Sequence, residues 1–175
     1  MAYPLVLDMS IHHFDLMRCL FDCDVEAVQG VSIDAPWNWN KGEASVMAQL
    51  ELSNKVAVNY FASWVATGAE TNWNADWRIE GSKGVLLWER DALSFSDKPN
   101  RARKIPLIKC PLTHQAYLLD AFATALDKGI EPETSGRRNL NSLATTYAVV
   151  RAVKEKRRVL LDEMFGEGGA RRTKQ

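Results

Sequence analysis

The order of elements in these 175 residues, one helix, a run of strands and two closing helices, predicts an α+β fold: an open, mostly antiparallel sheet with helices packed on one face. Three observations carry this. An amphipathic stretch free of Gly and Pro occupies residues 8–23. Segments of period two follow, punctuated by turn residues. Two further helical periods then close the chain, each with a capping residue at its start.

In the opening helix, DMSIHHFDLMRCLFDC, Phe14, Met17, Leu20 and Phe21 share one face at 100° per residue. Asp8, His12, Asp15, Cys19 and Asp22 fall together on the opposite side, so the polar stripe is rich in titratable groups. The period then changes to two. Val25 to Ala35 reads as a strand, Ser45 to Ser53 alternates cleanly, and Lys55 to Thr67 continues the pattern through Val58, Tyr60 and Ala62, with a tight turn at Ser53-Asn54. Shorter strands are expected at 76–80, 85–89 and 93–96, the first two joined through Gly81–Gly84. An edge strand is expected at 103–108, where Pro106 cannot donate to a ladder. The pattern is one antiparallel meander. Thr113 and Gly129 bracket the next helix as caps. The last helix opens at Thr134-Ser135 and sets Leu140, Leu143, Ala144, Tyr147 and Val150 at helical spacing. Residues 1–165 read as a single domain and 166–175 as a flexible tail.

Composition narrows the function. Hydrophobic residues at 46% and charged ones at 25% are the balance of a soluble globular protein, not of a disordered chain, a collagen or a coiled coil. Lys+Arg and Asp+Glu each number 22, and zero net charge does not suit a nucleic-acid binder. No apolar stretch approaches the roughly 18 residues of a membrane span, and none opens the chain as a signal peptide would. Cys19, Cys23 and Cys110 are odd in number and lack a CxxC pair, which fits reduced thiols in the cytoplasm.

The chemistry concentrates in PLVLDMSIHHFDL. Asp8 and His12 are four apart, so on a helix they stack one above the other, and a carboxylate beside an imidazole raises its basicity as a general base requires. Asp8 is equally placed to be an N-cap. His13 turns toward the apolar face and reads as a packed histidine. Adjacent histidines diverge by about 100° on a helix, so no metal site is expected. The six tryptophans cluster in the segments Trp37–Lys41 and Asn72–Trp77 and at Trp64 and Trp88, where rings beside amides suit either a polyhydroxyl ligand or an interface. There is no G-x-S-x-G, no Walker A motif and no glycine-rich turn between a strand and a helix.

The segment PLVLDMSIHHFDLMRCLF resembles the helix that opens the C-terminal domain of the Gfo/Idh/MocA oxidoreductases, the family of glucose-fructose oxidoreductase and inositol dehydrogenase. Asp8, Ser10, His12 and Asp15 occupy its D-x-G-x-H-x-x-D pattern, with Ser10 in place of the common Gly. WRIEGSKGVL (77–86) is similar to the family's strand-turn-strand segment, and residues 133–159 are similar to its closing helix. The resemblance implies an open antiparallel sheet with helices on one face, and a substrate-binding and oligomerisation domain of an NAD(P)-dependent dehydrogenase of sugars or polyols. It implies that His12 is the acid/base for the substrate hydroxyl, that Asp8 shares the active site and positions substrate and His12, and that Asp15 has an orienting role in substrate binding. The cofactor, NAD or NADP, is expected in a Rossmann domain of on the order of 120–150 residues, absent here because only seven residues precede Asp8. Such a domain would be a partner in trans, and the isolated chain would be inactive without it. The alternative is a non-catalytic binding or dimerisation module of the same fold. Met47, Gln49, Glu51, Asn59, Phe61, Ser63 and Val65 make a mixed sheet surface that suits a homodimer or tetramer.

Overall fold

A computed structural model describes residues 1–166. Of the segment expected to form a tail, residues 167–175 lie outside the described residues. The chain is α+β and divides into two compact units, one made of residues 1–67 together with the segment from 134 onward, the other of residues 68–133.

The first unit holds a four-stranded antiparallel sheet. β1 (Val25–Ile33), β2 (Ser45–Leu52) and β3 (Ala57–Ser63) are joined by the short β8 (Val159–Leu160), in the order β3-β2-β1-β8. Every second side chain of β2 is buried: Val46, Ala48, Leu50 and Leu52 face inward, while Met47, Gln49 and Glu51 are exposed. The β2–β3 turn is longer than the two residues Ser53-Asn54. Leu52 donates its amide to the Val56 carbonyl at 2.9 Å, and Lys55 takes a left-handed φ of 69°. This is the geometry of a three-residue hairpin loop, in which one residue must turn left-handed. β8 pairs only with Ala27 and Val28, so β1 has an unpaired edge from Gln29 to Ile33 on that side.

The inner face is covered by helices. A π turn (Val6–Ser10) runs into α1 (Ile11–Phe21), and α3 (Gly136–Glu155) packs on both α1 and β1. Phe14 and Met17 are buried from α1, and Val28, Val46, Leu50, Val149 and Leu161 complete the core. Leu20, expected on the apolar face, is 43% exposed, because it lies one turn beyond Met17 near the end of α1 at Asp22. The larger departure concerns α3. Its buried side is Asn141, Ser142, Ala144, Thr145, Thr146, Ala148, Val149, Val150 and Ala152, whereas Leu140, Leu143 and Tyr147 are exposed. Small side chains let α3 lie close to α1 and β1, and the threonines return their hydroxyls to the helix itself: Thr145 to the Asn141 carbonyl at 2.8 Å, Thr146 to that of Ser142 at 2.9 Å. Ser135 caps α3 by accepting from the Arg138 amide.

The second unit holds a separate antiparallel sheet, so the strands form two sheets and not one meander. β4 (Trp77–Gly81), β5 (Gly84–Glu89), β6 (Ala92–Ser96) and β7 (Ala102–Ile105) lie in sequence order. β7 stops one residue before Pro106, which has no N–H to extend the ladder. Gly84, at φ 141°, closes the β4–β5 turn where a Cβ would collide with the Ser96 carbonyl and the Phe95 ring. α2 (His114–Lys128) follows. Gly129 ends it in the left-handed conformation as expected, while Thr113 stands at its N-cap without a side-chain hydrogen bond. Among the described residues no helix is long and apolar enough to cross a membrane.

Candidate active site

The polar stripe read from the sequence is exposed along its whole length: Asp8, His12, Asp15, Cys19 and Asp22 all reach solvent. Asp8 is not an N-cap. It lies inside the π turn, and neither that turn nor α1 is capped by a side chain. Single π turns in helices occur frequently at functional sites. Four residues on, His12 stands in the first turn of α1. The backbone therefore presents a carboxylate and an imidazole at the surface, at the junction of the two helical windings.

Beneath them His13 is buried, as expected of a packed histidine. Its ring lies 5.8 Å from that of Tyr60 on β3, with Nδ1 2.8 Å from the Tyr60 hydroxyl. That hydroxyl donates to Ser10 Oγ at 2.9 Å, and Ser10 Oγ donates to the Leu5 carbonyl at 3.4 Å. Burial pushes the Tyr60 phenol up to about 12, against a small lowering by its bond to Ser10.

Asp15 is held differently. Its Oδ1 accepts from Ser142 Oγ at 2.5 Å and from Arg18 Nη1 at 3.3 Å. Arg18 is 6% exposed and bonds Asp24 at 2.6 Å, Ser142 Oγ at 2.8 Å and the Arg138 carbonyl at 3.1 Å. Asn141 donates to the second Asp24 oxygen at 2.9 Å. A buried guanidinium needs this many acceptors to offset its lost hydration. Asp15 Oδ1 thus joins α1 to α3, while the side chain as a whole remains 59% exposed.

Sequence reasoning missed this network, and with it Arg18, Asp24, Asn141 and Ser142. The one signal was Asp15 and Arg18 at a spacing of three, which is common on solvated helix faces and does not announce burial. Tyr60 was placed on the correct side of β3, without its hydroxyl partners.

Other expected features fall elsewhere. The Trp37–Lys41 loop belongs to the first unit and the Asn72–Trp77 loop to the second. Trp37, Trp39 and Trp73 are 61%, 80% and 63% exposed, and Trp77 faces Trp88 across β4 and β5. A concavity of about 990 Å³ is lined by β1, β2 and β3 together with Tyr3, Glu43, Lys154 and Arg158; Asp8, His12 and Asp15 do not line it. Cys19, Cys23 and Cys110 are free thiols, and no group of three or more His, Cys, Asp or Glu among the described residues could hold a metal ion. A Rossmann site holds a nicotinamide dinucleotide where a parallel strand leads through a tight turn into a helix N-terminus. Both sheets described here are antiparallel throughout, so the described residues do not form that site.

Residues 4–87 match the model of the GFO/IDH/MocA C-terminal domain. Over 165 residues the chain is 31% identical to inositol 2-dehydrogenase of Rhizobium meliloti (strain 1021), covering 87% of this chain and 48% of that protein. It spans about half the length of the curated relatives it matches. Among solved structures, an oxidoreductase from Desulfitobacterium hafniense DCB-2 assigned as NADPH-dependent shares the fold with a TM-score of 0.80 at 20% identity, over 93% of this chain and 49% of that one. The aldose-aldose oxidoreductase of Caulobacter crescentus, solved with glycerol, does so with a TM-score of 0.76 at 20% identity, over 89% and 47%. The matched segment, the dehydrogenase relative and the shared fold agree on one likeness: this chain resembles the C-terminal domain of the Gfo/Idh/MocA oxidoreductases.

Proposed function

We propose that these residues are the substrate-binding half of a nicotinamide-dependent oxidoreductase acting on sugar or polyol hydroxyls, with the nucleotide, NAD or NADP, held by residues outside the 175. The observation that carries this is the contrast between two adjacent histidines: His13 is packed against Tyr60, while His12, four residues on from an exposed Asp8, is itself exposed. His12 would take the proton of the substrate hydroxyl, or return it in the reverse direction. Asp8 would stabilise the imidazolium that forms and accept a hydrogen bond from a second hydroxyl. Asp15, one oxygen held by Arg18 and Ser142, would have an orienting role in substrate binding. The inositol dehydrogenase relative and the aldose oxidoreductase neighbour support a polyhydroxyl substrate class.

The exposed row Val31, Met47 and Phe61, in register across β1, β2 and β3, is flanked by the amide row Gln29, Gln49 and Asn59. Amides both donate and accept, so this face can meet a second copy of itself, and it would form the contact of a cytoplasmic homodimer or tetramer. A monomer whose sedimentation does not change with concentration would remove that part of the proposal.

Calorimetric titration of the 175-residue chain with NADH and NADPH tests the division of labour. No binding is expected, and micromolar binding would overturn it. Activity is tested by supplying a nucleotide-binding domain of the family in trans and following reduction of NAD or NADP with polyols. His12→Ala should lower turnover by about 10²–10⁴-fold while leaving the circular dichroism unchanged. Turnover that survives the substitution would end the acid/base role. No turnover with any nucleotide domain would favour a non-catalytic binding module.

A further inference from the structure

We infer that Tyr60, acting through Ser10, is a positioning residue for the Asp8–His12 pair, an inference that rests on the acid/base reading of that pair. In an α-helix, residues four apart are offset by about 40° around the axis, four steps of 100° less a full turn. A π turn closes its hydrogen bonds over five residues and advances by less per residue. The steps from Asp8 to Ser10 lie inside the π turn Val6–Ser10, so Asp8 comes closer to lying directly beneath His12 than α-helical winding would allow.

Such turns are rare, and side chains hold this one. Ser10 Oγ donates to the carbonyl of Leu5, five residues back, and Tyr60 donates to Ser10 Oγ. Each hydroxyl has one proton. With Tyr60's directed to Ser10 and Ser10's to Leu5, the bond between His13 and Tyr60 runs from Nδ1–H, and the chain has a single direction: His13, Tyr60, Ser10, Leu5. Leu5 and Ser10 are buried, so the hydroxyls have little recourse to water. Tyr60 sits opposite Ala48 in a strand paired along its length with β2. The chain therefore ties the winding of the turn to the sheet. Without the Tyr60 hydroxyl, Ser10 can instead return its proton to the carbonyl four residues back, as serine does in an α-helix, and the turn can tighten.

The test is NMR of the isotopically labelled 175-residue chain, comparing wild type with Tyr60→Phe. In wild type, amide-to-carbonyl couplings through Val6–Ser10 should span five residues, and Asp8 side-chain protons should show cross-relaxation to the His12 ring. In Tyr60→Phe the couplings should span four residues and the Asp8–His12 cross-peak should fall at least about two-fold. The Asp15–Ser142 cross-peaks should not move, whereas general loosening would weaken both. Ser10→Ala breaks the same link without altering the ring, and the same result is expected should Tyr60→Phe fail to fold. A variant that keeps the five-residue couplings and the cross-peak overturns the inference and leaves the acid/base reading intact. Conversely, a shifted cross-peak together with full turnover in His12→Ala would defeat the acid/base reading alone.

Discussion

The two sheets have the same number of strands and the same antiparallel pairing, yet they stand in opposite physical conditions. In the sheet of β1, β2, β3 and β8, Val25, Val28, Val46, Leu50, Leu52 and Val159 are 1% exposed or less. In β4–β7 no residue is buried, although Trp77, Ile79, Leu86, Trp88 and Phe95 are large and apolar. Alternation makes a strand, but a covering layer makes a core. α1 and α3 provide that layer in the first unit, and the candidate acid/base pair sits on it. A catalytic constellation needs a rigid support, and the better-buried unit is where the fold supplies one.

Substitutions should show this difference, most strongly where charge is buried. Arg18→Ala would leave Asp24, Asp15 and Ser142 facing a void and should cost about 3–5 kcal/mol in denaturant unfolding. Arg78→Ala, which breaks the exposed pair with Glu80 on β4, should cost about 0.5 kcal/mol or less. Equal costs would mean that the buried network contributes nothing beyond a surface pair. Leu50→Ala should cost about 3 kcal/mol and Leu87→Ala on β5 about 1 kcal/mol. A reversal of that order would show that β4–β7 is the better-covered sheet.

Alkaline pH sharpens the comparison. The Tyr60 phenol titrates at about 12 in the folded chain against an ordinary 10.0, so the folded state keeps a proton that the unfolded chain has already released. Stability from this group is complete below pH 10 and is lost as pH rises through 12, by about 3 kcal/mol at most. The loss should appear in unfolding curves and vanish in Tyr60→Phe. The smallest effect is expected at Arg158, whose pair with Glu51 on β2 is exposed on both sides. Arg158→Ala should move the unfolding midpoint least of these substitutions, and less still at high salt.

Much of the fold was legible because it depends on local rules. The alternation in β2, the cap at Ser135 and the left-handed Gly129 all follow from backbone chemistry within a few residues, whereas the edge strand expected to run to Ile108 halts at Ile105, before Pro106. So did the opposite fates of His12 and His13, which the 100° helical step separates. The buried face of α3 was not legible. Hydrophobicity favours Leu140, Leu143 and Tyr147, but close approach to α1 and β1 selects Ser142, Thr145 and Ala148. Nor was Asp15 readable as Arg18's partner, since the acceptors that make the arginine burial tolerable come from residues 24 and 138–142.

By itself the sequence determined the element types, the family resemblance, and the helix face on which Asp8, His12 and Asp15 stand. Periodicity and capping act over one or two turns and need no partner. Only the tertiary structure decided that the strands divide into two sheets, that a π turn carries Asp8, and that Tyr60, fifty residues from Ser10, closes the hydroxyl chain beneath it. Hydrogen bonds across such separations depend on which surfaces meet, and burial sets their strength.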